Sequence, residues 1–363
     1  MRFIPLFLTS LAMSVAPVSA GINFVIEFEP GSKWFTESWS ADARAEMQSF
    51  LTDVGNLFDT EETVRISIND NATGSVYASA GSSWAQWYYH EEAVGFVAAP
   101  ALWLIVVKGI HNPAAATDVT LTWNLNVNAG SYGGSSAALI NNIRGLGRHE
   151  MHHAFGASSR ISLGPGADPR GTEQVVDLID SYYRDLNGER IIGTFNPSGY
   201  KFGIRNFPMS AGWDTEFMQT GLYFPGRDKQ GRLVKMAPIS SGGTIDFSHI
   251  YGISYTFDHP AWASYVDEDF NFLRGLGYPL MVDSALVQQG ANVTAFNFAG
   301  SNATLTCGSS AGNHYRLATT ADLRHWKVMP VGTPGTGSPL GFTYPIDKTN
   351  EPKRFFQVVE VPE

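Results

Sequence analysis

The sequence is poor in cysteine and in charged residues. Cys307 is the only cysteine among 363 residues, so no disulfide can form within the chain. Charged residues make up only 16% of the chain, the net charge is −10, and no basic run occurs. Nucleic-acid binding needs such a basic surface, and we therefore expect no nucleic-acid partner. The fold must be held by its hydrophobic core or by a metal ion.

The sequence also has no apolar run long enough to span a membrane. Residues 1–20 begin with a positive charge at Arg2, continue as an apolar stretch and end in small residues before Gly21. This pattern predicts a signal peptide, with a buried N-terminal strand as the alternative. Residues 93–107 form a second apolar run that is too short to cross a bilayer and contains Pro100, which favours one or two buried strands. We expect a secreted protein without a membrane span, with the periplasm and the cell surface as alternative locations.

The remaining residues predict an α+β fold followed by a smaller all-β module. Hydrophobic residues make up 44% of the chain, which is enough for two substantial cores. Residues 21–282 mix strand-like and helix-like patterns and form the predicted first domain. Residues 283–363 change to short strands between Gly, Pro and Ser turns, which favours a small β-sandwich module. The clearest patterns are strands at 22–28, 64–68 and 121–125, and helices after Ser40, at 173–186 and near Asp267.

The strongest helix signal, at residues 137–154, carries the most chemistry. Gly156 is placed to end this helix. Within it, His149-Glu150-x-x-His153 puts two imidazoles about one turn apart, on the same face of the helix, where they can share one metal ion. Imidazole nitrogen is a preferred zinc ligand. Glu150 follows the first histidine and is placed to accept a proton from an attacking water. We predict a zinc site with Glu150 as general base.

The third ligand has several candidates in the sequence. Ser159 stands where a metzincin has a histidine or aspartate, and a neutral hydroxyl is a poor zinc ligand. Glu173, with Asp177 four residues later, is similar to the gluzincin arrangement on a second helix. His249 follows a glycine-rich stretch, and His152 competes with the neighbouring histidines. Glu173 and His249 both stay open as the third ligand on this evidence.

The motif and its surroundings resemble the leishmanolysin-like metzincins of exported bacterial proteins. The resemblance lies in His-Glu-x-x-His followed by Ala-Phe-Gly and, much later, by a glycine-rich stretch that ends in Ser248-His249. The resemblance covers most of residues 21–280, but only the zinc motif in it is specific. It implies a zincin-like domain, a twisted sheet plus an active-site helix, with His249 as the displaced third ligand. One departure is that no methionine closely follows His249, where a metzincin has its methionine turn.

Three functions remain open from the sequence. The first is a secreted zinc endopeptidase that acts on protein or peptide substrates, and the second is a catalytically degenerate zincin-fold surface or binding protein. The third is hydrolysis of a non-peptide amide, which uses the same metal chemistry as the first. In zincins an edge strand beside the active-site helix binds extended substrate, and residues 120–126 with Trp123 are our candidate, with an ordinary core strand as the alternative. The C-terminal module is expected to contact carbohydrate or a surface, or only to stabilise the protein.

Overall fold

The computed structural model describes most of the chain in separate stretches. These are residues 21–70, 78–125, 136–159, 161, 173–185, 187–205, 223–228, 231–238, 265, 267–281, 291–299, 302–320, 327–328, 332–346 and 354–362. Three sequence predictions lie outside the described residues: the signal peptide over residues 1–20, the ligand His249 and the domain boundary between residues 282 and 283.

The described residues form a mixed α+β structure in which strands predominate. The helices are α1 Lys33–Thr36, α2 Ser40–Gly55, α3 Ala101–Lys108, α4 Ser136–Ala154 and α5 Asp267–Leu276, with a 3₁₀-helix at Leu178–Ser181. The strands are β1 Asn23–Phe28, β2 Thr63–Asp70, β3 Ala78–Ser82, β4 Ala85–His90, β5 Gly95–Pro100, β6 Val119–Trp123, β7 Glu173–Gln174, β8 Ile192–Asn196, β9 Lys201–Ile204, β10 Tyr223–Arg227, β11 Leu233–Pro238, β12 Val293–Ala299, β13 Asn302–Cys307, β14 Asn313–Thr320, β15 Lys327–Val328, β16 Thr333–Pro334, β17 Leu340–Pro345 and β18 Phe355–Pro362.

The main sheet of the N-terminal part has four strands in the order β1-β2-β6-β3. Strands β1, β2 and β6 are parallel, and Ile66 of β2 pairs with Ile26 on one side and Val119 on the other. Strand β3 is antiparallel to β6. The alternation predicted for β2 is confirmed, because Val64, Ile66 and Ile68 are all buried. This alternation turns one face of β2 into the hydrophobic core.

Helix α2 packs on helix α4 beside this sheet. The helix predicted after Ser40 is confirmed, although Trp39 is the N-cap residue and Ser40 is the first helical residue. The contact with α4 is close because Gly147 has no side chain, and a Cβ there would lie 2.6 Å from Cε1 of Phe50. Further along the same interface, Arg144 of α4 forms ion pairs with Glu46 and Asp53 of α2.

Two local predictions differ from the structure. Residues 93–107 form strand β5 and then helix α3, where we expected one or two strands. Pro100 ends the strand in an extended conformation and caps the helix, and a run that is buried on all sides has no periodicity to distinguish the two structures. The helix predicted at residues 173–186 is also wrong. Its place is taken by strand β7 and by the 3₁₀-helix, whose capping box joins Asp177 to Asp180.

The C-terminal residues bury their own hydrophobic cluster. One antiparallel sheet contains β12, β13 and β17, and another contains β14 with β15, β16 and β18. Both sheets contribute side chains to a single core that includes Leu305, Leu317, Phe342 and Val358. The larger cluster draws on residues 22–280. The separate domain from residue 283 onward stays a prediction. In the described part of the chain, no helix has the length and apolar character needed to cross a bilayer.

A buried histidine connects strand β4 to the 3₁₀-helix. His90 is 9% exposed, and its Nε2 lies 3.1 Å from the hydroxyl of Tyr182. The ring of Trp103 covers another side of the imidazole. Burial lowers the pKa of His90 to about 4, with a further contribution from the positive charge of Lys108. The folded protein therefore holds a neutral imidazole well below the ordinary pKa of histidine.

We expect His90 to make the folded state sensitive to mild acid. Below pH 6.5 the unfolded chain binds a proton at His90 that the folded chain does not bind until about pH 4. Its contribution to the free energy of unfolding is complete above pH 6.5 and falls by about 3 kcal/mol as the pH drops to 4. Urea unfolding at pH 7 and pH 4 should therefore show a smaller acid-induced loss in His90→Gln than in the wild type. Equal losses in the two proteins would contradict the prediction.

Candidate metal centre

Helix α4 presents hydrophobic and polar stripes to different surroundings. Ile143, Met151 and Ala154 are fully buried in the larger core. His149 and His153 are half-buried on another face of the helix. Three to four residues make one helical turn, so hydrophobic packing of the first set fixes the direction in which the histidine pair points. The helix predicted at residues 137–154 is thus confirmed.

The structure brings the two predicted histidine ligands together. The ring centroids of His149 and His153 lie 5.0 Å apart, and the ring planes are inclined at 79°. Two imidazoles at this separation can both reach one ion, since a zinc–nitrogen bond is about 2.0–2.1 Å long. Glu150 follows His149 on the same turn, and only 3% of its surface is exposed. The donor set therefore suits zinc and includes a carboxylate beside it.

The end of α4 orients the second histidine. Gly156 has φ +113°, a conformation that L-residues rarely adopt. Its N–H donates to the carbonyl of His153, and the N–H of Ala157 donates to the carbonyl of His152, at 3.0 and 2.9 Å. This is the Schellman pattern of helix termination, so the predicted stop at Gly156 is confirmed.

The same turn selects a tautomer of His153. The carbonyl oxygen of Ala157 lies 2.7 Å from Nδ1 of His153. A carbonyl can only accept, so Nδ1 carries the proton, and in the neutral ring Nε2 then keeps its lone pair. Metal-binding histidines commonly donate their second nitrogen to such a group. The contact at this turn therefore makes Nε2 of His153 the ring nitrogen that could coordinate a metal ion.

His152 is engaged on a different side of α4. Its Nε2 lies 3.0 Å from Oδ1 of Asp269 on α5, and its Nδ1 lies 2.9 Å from the carbonyl of Arg148. The ring is 2% exposed and stacks on Tyr265. These contacts separate His152 from the half-buried face and favour the His149–His153 pair over any pair that includes His152.

Two candidates for the third ligand have other partners. The hydroxyl of Ser159 donates to the buried carboxylate of Asp180, which also accepts from the N–H of Asp177. Glu173 lies on strand β7 and not on a second helix, and its two carboxylate oxygens lie 3.0 and 2.9 Å from the amide nitrogen of Asn196. Across the described ranges, no group of three His, Cys, Asp or Glu side chains is placed to hold a metal ion. His249 lies outside those ranges.

The strand beside the helix differs from the one that we predicted. Strand β6, which contains Trp123, lies between β2 and β3, and the Trp123 side chain is fully buried. Among the described strands, β3 occupies that edge of the sheet and packs on α4. Residues 119–123 therefore form a core strand, which is the alternative that the sequence left open for this segment.

Sequence reasoning missed two buried carboxylates that pair with residues on either side of the motif, Arg148 and Ser159. Asp269 lies 121 positions after Arg148, and Asp180 lies 21 positions after Ser159. Neither carboxylate has a local pattern that relates it to the histidine motif. Only the buried position of each in the folded chain identifies it as a partner.

The comparisons with known proteins give this chain no neighbour. No protein-family model, no curated protein and no solved structure matches it. Membership of the leishmanolysin-like zincins stays a prediction, and the function proposed below rests on the site itself.

We expect Gly156→Ala to weaken metal binding as well as folding. The nearest atoms to an added Cβ are at ordinary contact distance, Pro100 Cγ at 3.5 Å, so the cost is the backbone conformation at φ +113°. That strain should lower the free energy of unfolding by about 1–2 kcal/mol. It should also displace the Ala157 carbonyl from His153 and reduce zinc affinity about 10-fold or more.

The matched control is Gly109→Ala, which also replaces a positive-φ glycine at a helix end. Chelator competition should show wild-type zinc affinity for this variant despite a loss of stability. Equal zinc affinity in Gly156→Ala and Gly109→Ala would contradict the role assigned to the turn.

Proposed function

We propose that this protein is an exported zinc-dependent endopeptidase. The observation that supports the proposal most directly is the placement of His149 and His153, with ring centroids 5.0 Å apart, on the turn that carries the buried carboxylate of Glu150. An imidazole pair and an adjacent carboxylate at these spacings are the elements that hydrolytic zinc chemistry requires.

The residues that would hold the metal are His149, His153 and His249. A bound zinc ion supplies Lewis acidity toward water and toward a carbonyl oxygen. His153 would present Nε2 because its Nδ1 donates to the carbonyl of Ala157, and packing of α4 in the hydrophobic core fixes the side of the helix that carries both histidines. His249 completes the set on the basis of the family resemblance alone.

Glu150 is the proposed general base. It follows His149 and precedes His153 on one helical turn, and 3% exposure keeps its carboxylate largely screened from bulk solvent. From there it would accept a proton from the attacking water and deliver that proton to the departing amine nitrogen. Both transfers use the same carboxylate, so removal of its charge should stop the reaction without removing a metal ligand.

The proposed substrate is an extended segment of a protein or peptide. Strand β3 occupies an edge of the main sheet, among the described strands, and packs on the helix that carries the motif. An edge strand binds an extended chain through main-chain hydrogen bonds, which are indifferent to side-chain identity. This arrangement would place a scissile peptide bond along α4.

A second function, a catalytically degenerate surface or binding protein, is favoured by three observations. Ser159 is committed to Asp180, and no methionine closely follows His249 in the sequence. The C-terminal module also exposes aromatic side chains, with Phe296 and Phe298 about half-exposed and their rings 5.2 Å apart. Such a face suits contact with carbohydrate or another surface.

The variant Glu150→Gln separates these two functions. The amide cannot accept the proton but keeps the size of the side chain, so hydrolysis of a casein-type protein substrate should fall by about 100-fold or more. Zinc content, measured by elemental analysis after dialysis without chelator, should stay near one ion per chain. A wild-type protein that holds zinc but cleaves no peptide would favour the binding-protein alternative, and one that holds no zinc would overturn the enzyme proposal.

The third ligand is tested by a pair of alanine variants. We expect His249→Ala to weaken zinc binding by at least about 100-fold, because a three-ligand site loses one of its donors. Glu173→Ala should retain wild-type affinity, since its carboxylate is bonded to Asn196. Competition with a chromophoric chelator measures both affinities. The reverse ranking would identify the gluzincin arrangement in its place.

A further inference from the structure

A buried carboxylate on α5 makes a polar contact with the helix that carries the histidine motif. Asp269 is fully buried, and its two oxygens accept hydrogen bonds from Nε and Nη2 of Arg148 at 3.0 and 2.9 Å. Its Oδ1 also lies 3.0 Å from Nε2 of His152. Arg148 and His152 are themselves 5% and 2% exposed. One buried anion thus holds two basic side chains of α4.

The spacing of this contact matches the spacing of the metal ligands. Arg148 and His152 are four residues apart, as His149 and His153 are, and each precedes a ligand by one position. A helix turns by about 100° per residue, so the two pairs form neighbouring stripes on α4. Any rotation of this turn about the helix axis would move both stripes together. A group that fixes the first pair therefore fixes the second.

The geometry of the contact is suited to such a restraint. A bidentate arginine–carboxylate pair has a defined plane, unlike a single-point contact between charges. The stacking of Tyr265 on His152 limits movement of the imidazole. Burial alone would raise the pKa of Asp269, but the charges of His152 and Arg148 hold it below its usual value, so the anion persists at neutral pH.

We infer that Asp269 is a positioning residue for the metal centre. Through Arg148 and His152 it sets the rotation of the turn that carries His149 and His153. It acts through these two side chains and is not a catalytic residue. The inference rests on the proposed function, since it assumes that the histidine pair binds zinc. It gives helix α5 a role at the metal site, although α5 lies outside the histidine motif.

The experiment compares zinc and cobalt binding in Asp269→Asn and Asp118→Asn. Asp118 is the matched control because it is also buried, also accepts two side-chain hydrogen bonds from one arginine, Arg65, and also has a lowered pKa. Its side-chain partners Arg65 and Trp84 belong to strand β2 and to the turn between β3 and β4. Both variants should lose stability, and both are measured at low temperature after near-ultraviolet circular dichroism has established the native fold.

Only Asp269→Asn should change the metal site. We expect its zinc affinity to fall about 10- to 100-fold, the range typical when a supporting partner of a metal ligand is removed. The visible absorption of bound Co²⁺ should shift in position or intensity, because the two imidazoles lose their fixed orientation. Asp118→Asn should keep both the affinity, within about two-fold, and the Co²⁺ spectrum of the wild type. That pattern supports the inference, since a general loss of stability would affect the two variants alike.

A second variant keeps the test decisive if Asp269→Asn does not fold. His152→Gln removes one arm of the contact and leaves the Arg148 pair in place, and we expect a smaller loss of zinc affinity with a Co²⁺ spectrum shifted in the same direction. Wild-type affinity and spectrum in a folded Asp269→Asn, or in His152→Gln where Asp269→Asn is unfolded, would overturn the positioning role while leaving the zinc site intact. A wild-type protein that binds neither ion would overturn the proposed function and the inference together.

Discussion

Close packing along helix α4 is the constraint on which the candidate site depends. Gly147 lets the ring of Phe50 approach the helix backbone, and the ion pairs of Arg144 extend the same contact with α2. The histidine motif begins two residues after Gly147. Asp269 of α5 contacts the same turn through Arg148 and His152. Hydrophobic contact sets the position of the helix, and buried charge, as inferred above, sets the rotation of the turn that carries the imidazoles.

Local patterns in the sequence predicted the structure correctly where a single segment determines it. The alternation at Val64, Ile66 and Ile68, the helix that bears the motif and its end at Gly156 all follow from periodicity and from the demand for a positive φ. Helix α3 could not be distinguished from a strand, since nearly every residue in it is buried. The order of strands β6 and β3 reverses their order in the chain, and no periodicity contains that information.

The supporting residues of the site were beyond sequence reasoning for a different reason. Arg148 and Asp269 are 121 positions apart, and their pairing depends on the way that α5 packs against α4. Ser159, which looked like a defective ligand, has its own structural role as a partner of Asp180. A residue that departs from a motif can therefore have a structural partner of its own. The third ligand, His249, stays a prediction from resemblance.

The turn at Gly156 has a further consequence for chain entropy. The backbone leaves the helical path just after Ala154, one residue beyond His153. The entropy lost when a flexible segment is closed grows only with the logarithm of its length, by about 0.6 kcal/mol for each doubling. A third ligand at His249 would close a segment sixteen times longer than a ligand at position 159, and these four doublings would cost about 2.4 kcal/mol. A ligand from far along the chain is therefore compatible with the histidine pair, because zinc binding contributes on the order of 10 kcal/mol.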